Sequence, residues 1–220
     1  MRNHPPGTRL ASCLTPWHWP WPCLSACLLA SGNALAVPLT VTVTDAAGLP
    51  QTDAVVSVEV RGARQTAAPG TQAELGQRGR NFTPRVLAIQ SGTAVNFPNF
   101  DTVRHHVYSF SQAKPFELKL YSGTPSSPVV FDKAGTAVLG CNIHDRMTAF
   151  VHVVNTPHFA RTSGDGVATL DVPAGEHTLQ VWHPMHGDTS LPQRQTIKVG
   201  GGASSAIIVK VSPSRGAATP

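Results

Sequence analysis

Residues 137–154 read Ala-Val-Leu-Gly-Cys-Asn-Ile-His-Asp-Arg-Met-Thr-Ala-Phe-Val-His-Val-Val. Apolar residues dominate both ends of this stretch, whereas its middle is more polar and carries Cys141, His144 and Met147 at three-residue intervals. Two short apolar runs around such a loop predict two β-strands that hold the loop between them. The fold must therefore supply further strands to pair with these two.

The rest of the chain repeats this short-strand pattern. Residues 39–44 alternate Leu or Val with Thr, a period of two that indicates a strand with one buried face. Further strands are predicted at 54–60, 86–90, 94–97, 105–110, 116–120, 129–131, 167–172, 177–182, 195–199 and 206–211. Residues 61–79 are polar and rich in Gly, Ala and Gln, so we expect a connection there. No window keeps a helical period, and the prediction is an all-β sandwich or barrel.

The composition excludes several other classes of protein. The 220 residues include 19 Gly and 19 Pro, with 41% hydrophobic and only 13% charged residues. These values allow a core but are not typical of a disordered chain, a coiled coil or a helical bundle. The net charge of +5 is spread without a dense run of Lys and Arg, so no nucleic-acid partner is expected.

The first 36 residues are predicted to be an export signal. They contain two Arg and no acidic residue, then an apolar run over 23–30, then Ala34-Leu35-Ala36. This pattern favours cleavage after Ala36, and the run is too short to span a membrane. We therefore expect a periplasmic protein that is not membrane-spanning. A lipid anchor at Cys27, a start codon further in and a retained N-terminal segment remain alternatives.

Cleavage would leave Cys141 as the only cysteine, because the other three precede residue 37. The remaining 184 residues would carry 15 basic and 12 acidic side chains, a net charge of +3. A single cysteine cannot form an internal disulfide. A lone thiol in an oxidising compartment is expected to be buried or bonded to another group, such as a metal ion.

Cys141, His144 and Met147, together with His105, supply one thiolate, two imidazoles and one thioether. This is the ligand set of a blue-copper site, in which the sulfur ligands favour Cu(I) and imidazole binds both oxidation states. The choice between His105 and the adjacent His106 rests on strand alternation, which places His105 on the same face as Val107.

These residues resemble the cupredoxin family over about residues 71–154. The resemblance rests on Phe97-x-Asn99-x-Asp101, His105-x-Val107 and Cys141-x-x-His144-x-x-Met147. The short ligand loop is similar to that of amicyanin, whereas plastocyanin has a longer one. The chain also resembles periplasmic cupredoxin-domain proteins that are often called methylamine utilization proteins.

The resemblance implies a Greek-key β-sandwich with one type 1 copper per chain. His105, Cys141 and His144 would be the equatorial copper ligands, Met147 the axial ligand, and His144 the electron exit near the surface. The chain departs from the family at two positions: His106 stands where Asn is common, and Leu139 where an aromatic residue is frequent.

Residues 159–182 resemble the regulatory-like domain of carboxypeptidases, a small transthyretin-like or immunoglobulin-like β-sandwich. The turns at 164–166 and 172–175 carry the resemblance, and the usual opening of such domains, Asp-x-x-Gly-x-Pro, occurs at 45–50. We expect residues 37–70 and 155–212 to form this sandwich, with the copper domain (71–154) inserted into it and a loose tail at 213–220. A simple tandem, with residues 39–60 as edge strands of the copper domain, is the alternative.

Together these expectations describe a periplasmic one-electron carrier that meets redox partner proteins transiently. Catalysis is not expected, because the sequence has no nucleophile elbow, Gly-rich phosphate loop or paired carboxylates. A complete ligand set also leaves no open position for a substrate. A copper-delivery or storage protein and a non-catalytic binding sandwich with a degenerate metal site are alternatives. In the delivery hypothesis His183 and His186 form a transfer site, but we expect both to be solvated.

Overall fold

A computed structural model describes residues 36–201 and 204–212. All of the predicted signal 1–36 except Ala36, including Cys27, and the predicted tail 213–220 lie outside the described residues. The all-β prediction is confirmed, because the described part contains strands and one short 3₁₀ helix, η1 (Pro184–His186), but no α-helix. The strands are β1 (Ala36–Thr44), β2 (Val55–Glu59), β3 (Gln72–Glu74), β4 (Gly76–Arg78), β5 (Asn81–Thr83), β6 (Val86–Gln90), β7 (Thr93–Asn96), β8 (His105–Ser109), β9 (Phe116–Tyr121), β10 (Val129–Phe131), β11 (Gly135–Gly140), β12 (Thr148–Val154), β13 (Phe159–Arg161), β14 (Val167–Pro173), β15 (Gly175–Trp182), β16 (Gln193–Val199) and β17 (Ser205–Lys210).

One sandwich, here called the outer sandwich, is built from both ends of the described chain. Its sheets are β14-β1-β17 and β13-β2-β15-β16. Val41 of β1 lies opposite Ala168 in antiparallel β14 and Ile207 in parallel β17. A tandem arrangement would require β1 to pair with strands between residues 71 and 154, whereas both of its partners come after residue 155.

The residues between β2 and β13 form a second sandwich, here called the middle sandwich. Its sheets are β10-β7-β3 and β6-β12-β11-β8-β9, and a separate hairpin is formed by β4 and β5. The interior strand β12 pairs antiparallel with β11 and parallel with β6. The core of this sandwich includes Cys141 and Met147, so the ends of the β11–β12 loop are anchored in packed apolar side chains.

The connection predicted at 61–79 is wrong for its second half, which contains β3 and β4. Each of these strands has three residues, and neither alternates apolar and polar side chains in a way that periodicity detects. Their pairing depends on distant partners, because β3 pairs in parallel with β7. The short strand β13 was not predicted for the same reason, because it pairs with β2, which lies about 100 residues earlier in the chain.

The two sandwiches contact each other through a small apolar cluster of Val55, Val86, Phe150, Val154 and Trp182. The imidazole of His152 extends this contact by stacking on the Trp182 ring, with centroids 4.6 Å apart and planes 12° from parallel. Burial lowers the pKa of His152 to about 3. The imidazole is therefore neutral and acts as a flat packing surface between the sandwiches.

Candidate metal centre

The β11–β12 loop brings its three candidate ligands together by two successive turns. The backbone N–H of His144 donates to the carbonyl of Cys141 at 3.4 Å, and that of Met147 donates to the carbonyl of His144 at 2.9 Å. Turns of this kind return the chain on itself every three residues. The three-residue spacing in the sequence therefore becomes a spatial cluster at one end of the middle sandwich.

His105 reaches this cluster from β8, the strand that pairs with β11. It is fully buried, and its Nδ1 lies 4.0 Å from the Sγ of Cys141. The imidazole rings of His105 and His144 have centroids 5.1 Å apart. One potential ligand atom from each of His105, Cys141 and His144 lies within 4.8 Å of the other two, a grouping that could hold a metal ion.

The nitrogen atoms of the two imidazoles are arranged as ligation requires. The Nε2–H of His105 donates to the carboxylate of Asp101 at 2.8 Å, which leaves the lone pair of Nδ1 facing Cys141. The Nδ1 of His144 is buried and has no hydrogen-bond partner among the described residues. A buried nitrogen without a partner is costly unless another group satisfies it, and a metal ion fits that need.

Asp101 fixes the orientation of His105. Besides the imidazole, its carboxylate accepts backbone N–H groups of Gly79 at 2.7 Å and Arg80 at 2.9 Å. The Arg80 N–H, followed by the His105 imidazole, holds the pKa of Asp101 at about 2. The carboxylate is therefore ionised at neutral pH, and it ties the β4–β5 hairpin to the candidate ligand.

Met147 is buried in the same apolar cluster as Cys141, so its thioether belongs to the packed base of the loop. The side chain of His106 points away from that of His105, and its Nε2 lies 2.9 Å from a carboxylate oxygen of Glu117. Strand alternation thus separates the adjacent histidines, and His105 is the one beside the thiol. The thiol of Cys141 is itself 3% exposed and free of any disulfide.

Gly140, the residue before the thiol, lies beneath the ring of half-buried Tyr108. A Cβ added there would lie 2.7 Å from the Tyr108 ring, which covers the backbone from β8. Gly140 lies opposite Tyr108 in the pairing of β11 with β8. The approach of these two strands brings His105 close to Cys141.

Asn99 organises the loop before β8, a role that the sequence analysis did not assign. Its amide donates to the carbonyls of Val103 at 2.8 Å and Tyr121 at 3.0 Å, and its oxygen accepts the N–H of Asp101 at 2.9 Å. Nearby, buried Gln77 donates to the Tyr121 hydroxyl. Burial raises the pKa of Tyr121 to about 12, so this hydroxyl stays protonated. The quoted Asn-x-Asp pattern was the only sequence signal for this network.

The grouping of potential ligands does not include His183 or His186. The expectation that both are solvated is wrong for His186, which is buried, whereas His183 is half-buried. The His183 ring accepts the backbone N–H of Met185 at 3.2 Å and lies 3.1 Å from the Thr52 carbonyl. His186 is buried, with its Nε2 2.9 Å from the Ser212 carbonyl. The two rings therefore cap η1 and connect distant segments of the outer sandwich.

No helix in the described residues is long and apolar enough to cross a membrane. No family model and no curated protein matches the sequence. Among solved structures, the chain is similar to a Cu-containing nitrite reductase from Thermus scotoductus, at 28% identity over 44% of this chain with a TM-score of 0.36. The match spans only 25% of that enzyme.

Two smaller structures are also similar to this chain. Amicyanin from Paracoccus versutus matches at 16% identity, covering 44% of this chain and 96% of amicyanin, with a TM-score of 0.33. A purple cupredoxin from Nitrosopumilus maritimus matches at 22% identity, covering 38% of this chain and 98% of that protein, with a TM-score of 0.32.

Proposed function

We propose that the protein is a periplasmic one-electron carrier with one type 1 copper per chain. His105, Cys141 and His144 would be the strong ligands and Met147 the weak axial one. The observation that carries the proposal is the grouping of one buried thiol and two imidazoles within 4.8 Å, with a partnerless buried Nδ1 on His144. Nitrogen and thiolate ligands with a thioether nearby match the preferences of copper in both oxidation states.

Copper bound there would supply a one-electron couple at neutral pH. Asp101 would hold the His105 ring in a single orientation and tautomer, which limits rearrangement of the ligands when the charge of the site changes. The buried position of Cys141 would exclude water from the sulfur. His144, the only half-exposed residue of the three, would be the route for the electron to the surface.

Electron transfer fits this site better than catalysis. His105, Cys141 and Met147 are almost completely buried, so a substrate would have to displace packed side chains to approach them. A buried and complete ligand set suits a carrier, because a catalytic metal keeps an open position. We therefore infer that the protein is not an enzyme and that its partners are redox proteins that dock transiently.

The copper-delivery hypothesis receives less support. It assigned a transfer role to His183 and His186, whose ring nitrogens are bonded to backbone groups of the outer sandwich. Export also remains part of the proposal. It rests on the sequence before residue 37, and it explains why a single thiol, Cys141, is kept buried.

The test is an optical and EPR spectrum of the exported protein loaded with Cu(II), with Cys141→Ser as its partner variant. We expect an intense blue thiolate-to-copper band with a narrow hyperfine splitting, and its loss in the variant. His183→Ala is the matched control for a histidine outside the site and should retain the band. A pale spectrum that Cys141→Ser leaves unchanged would refute the proposal and place the copper on other side chains.

A further inference from the structure

The surface around His144 combines exposed apolar side chains with exposed arginines. Phe100, Val103 and Ile143 are 51%, 37% and 46% exposed, and each lies within five residues of a candidate ligand. Four arginines are exposed on the same loops or on the β4–β5 hairpin: Arg78, Arg80, Arg104 and Arg146. We call these seven residues the arginine rim and its apolar centre.

Two contacts hold the hairpin part of the rim beside the candidate metal centre. The guanidinium carbon of Arg78 lies 4.6 Å from the centroid of the Phe100 ring. The backbone N–H of Arg80 donates to Asp101, which in turn accepts from His105. Arg104 directly precedes His105, and Arg146 lies two residues after His144. The four cations therefore come from three separate segments that meet at one end of the middle sandwich.

The arginines of the rim are not neutralised within the protein. None of the four forms an ion pair with another described residue. The same segments contain two carboxylates, but Asp101 is occupied by His105 and two backbone N–H groups. Only Asp145 remains to offset four guanidinium groups. Unpaired arginines beside an apolar surface can accept carboxylates in bidentate geometry without giving up internal contacts.

We propose that the arginine rim selects a redox partner protein whose docking face has an apolar centre surrounded by Asp and Glu. The inference rests on the proposed electron-carrier function, since it takes this end of the sandwich as the place where electrons leave. The rim would steer the partner and set its orientation, while the apolar centre brings the partner close to His144. A free anion would leave Phe100 and Ile143 uncovered, so a protein surface fits the whole patch better.

The first experiment maps the rim with hexacyanochromate(III), a redox-inert paramagnetic trianion. It is added to the ¹⁵N-labelled exported protein under reducing conditions. The broadening of the backbone amide NMR signals is then measured. We expect broadening at residues 78–80, 100–104 and 143–146. Arg80→Glu with Arg146→Glu should weaken binding of the trianion about tenfold or more, within the range of electrostatic steering effects.

The matched control is Arg61→Glu with Arg64→Glu, which changes the net charge equally at two exposed arginines outside the rim. It should leave the map in place and binding within about twofold, because both arginines lie in the connection between β2 and β3, outside the segments of the rim, and salt screens exposed charges. Broadening centred elsewhere, or equal weakening by both double variants, would overturn the proposal. This result does not depend on copper, so it stands or fails separately from the proposed function.

Two further measurements test the chemical class of the partner and the place where the electron leaves the protein. Polyglutamate should displace the trianion at lower concentration than single-stranded oligothymidylate of equal charge, and the reverse order would overturn a protein partner. With copper loaded, hexacyanoferrate(III) takes one electron from Cu(I), giving Cu(II) and hexacyanoferrate(II). At about 0.01 M ionic strength the rim variant should slow this reaction about tenfold, whereas the control should not. If the rim variant and the control react with hexacyanoferrate(III) at equal rates, the proposal that electrons leave at the rim is overturned.

Discussion

His152 should make the stability of the protein fall as the pH drops below about 6.5. Its ring is buried between the sandwiches, stacked on Trp182, with its Nδ1 2.9 Å from the hydroxyl of Thr136. Burial lowers its pKa from 6.5 to about 3 in the folded protein. Between these two values the unfolded chain takes up a proton that the folded chain does not. The loss of folding stability that follows from this difference is nearly absent above pH 6.5 and grows as the pH falls toward 3.

The size of the effect follows from the difference in proton uptake. One proton bound by only one of the two states changes the free energy of unfolding by about 1.4 kcal/mol for each pH unit. Between pH 6.5 and pH 4.5 the loss should therefore be between about 2 and 3 kcal/mol. That is a large share of the total stability of a typical domain, about 5–15 kcal/mol.

The assay is urea unfolding of the metal-free exported protein at a series of pH values. Trp182 is the only tryptophan after residue 36, so its fluorescence reports on the packing that contains His152. The comparison variant is His152→Phe with Thr136→Val, which keeps an aromatic ring and removes both polar partners. Between pH 6.5 and pH 4.5 the free energy of unfolding of this variant should fall by less than that of the unaltered protein. The difference should be about 2 kcal/mol or more. Identical pH profiles for the two proteins would refute the reasoning.

Three other predictions concern the centre and its surroundings, and one of them has its own control variant. Asp101→Asn should keep the blue band but weaken copper binding about 10–100-fold in a competition titration, because the imidazole it orients loses an ionised partner. Gly140→Ala should lower the free energy of unfolding by about 1 kcal/mol, because its Cβ displaces the outer end of the half-buried Tyr108 ring. Gly164→Ala, with open space around it, should stay within about 0.5 kcal/mol. His183→Ala with His186→Ala should leave the copper stoichiometry unchanged yet reduce stability in urea by about 1–3 kcal/mol, and a lost copper would contradict their structural role.

The sequence was informative wherever the deciding residues lie close together. Three-residue spacing placed Cys141, His144 and Met147 on one loop, and the parity of a strand separated His105 from His106. The alternation of Leu and Val with Thr over 39–44 gave the buried face of β1, where Val41 and its inward neighbours pack in the core. Each of these inferences depends on a repeat shorter than four residues.

The sequence did not predict the polar contacts that join distant segments of the chain. Asp101 accepts N–H groups 21 and 22 residues earlier in the chain, in a hairpin that showed no strand pattern. His183 meets Thr52 across 131 positions, so nothing near it distinguished a capping ring from a solvated one. Polar contacts of this kind depend on the completed topology, and a local pattern does not encode them.

The parallel pairing of β1 with β17 determines how the protein would respond to a pulling force. The two strands align from Leu39 opposite Ser205 to Thr44 opposite Lys210. A pull applied at Val37 and Ser212 acts on opposite ends of this parallel pair. The strands would have to slide past each other, and their inter-strand hydrogen bonds would carry the load together instead of opening one after another. The middle sandwich lies in the chain between these strands and would feel no tension until they separate, so β1 and β17 act as a mechanical clamp.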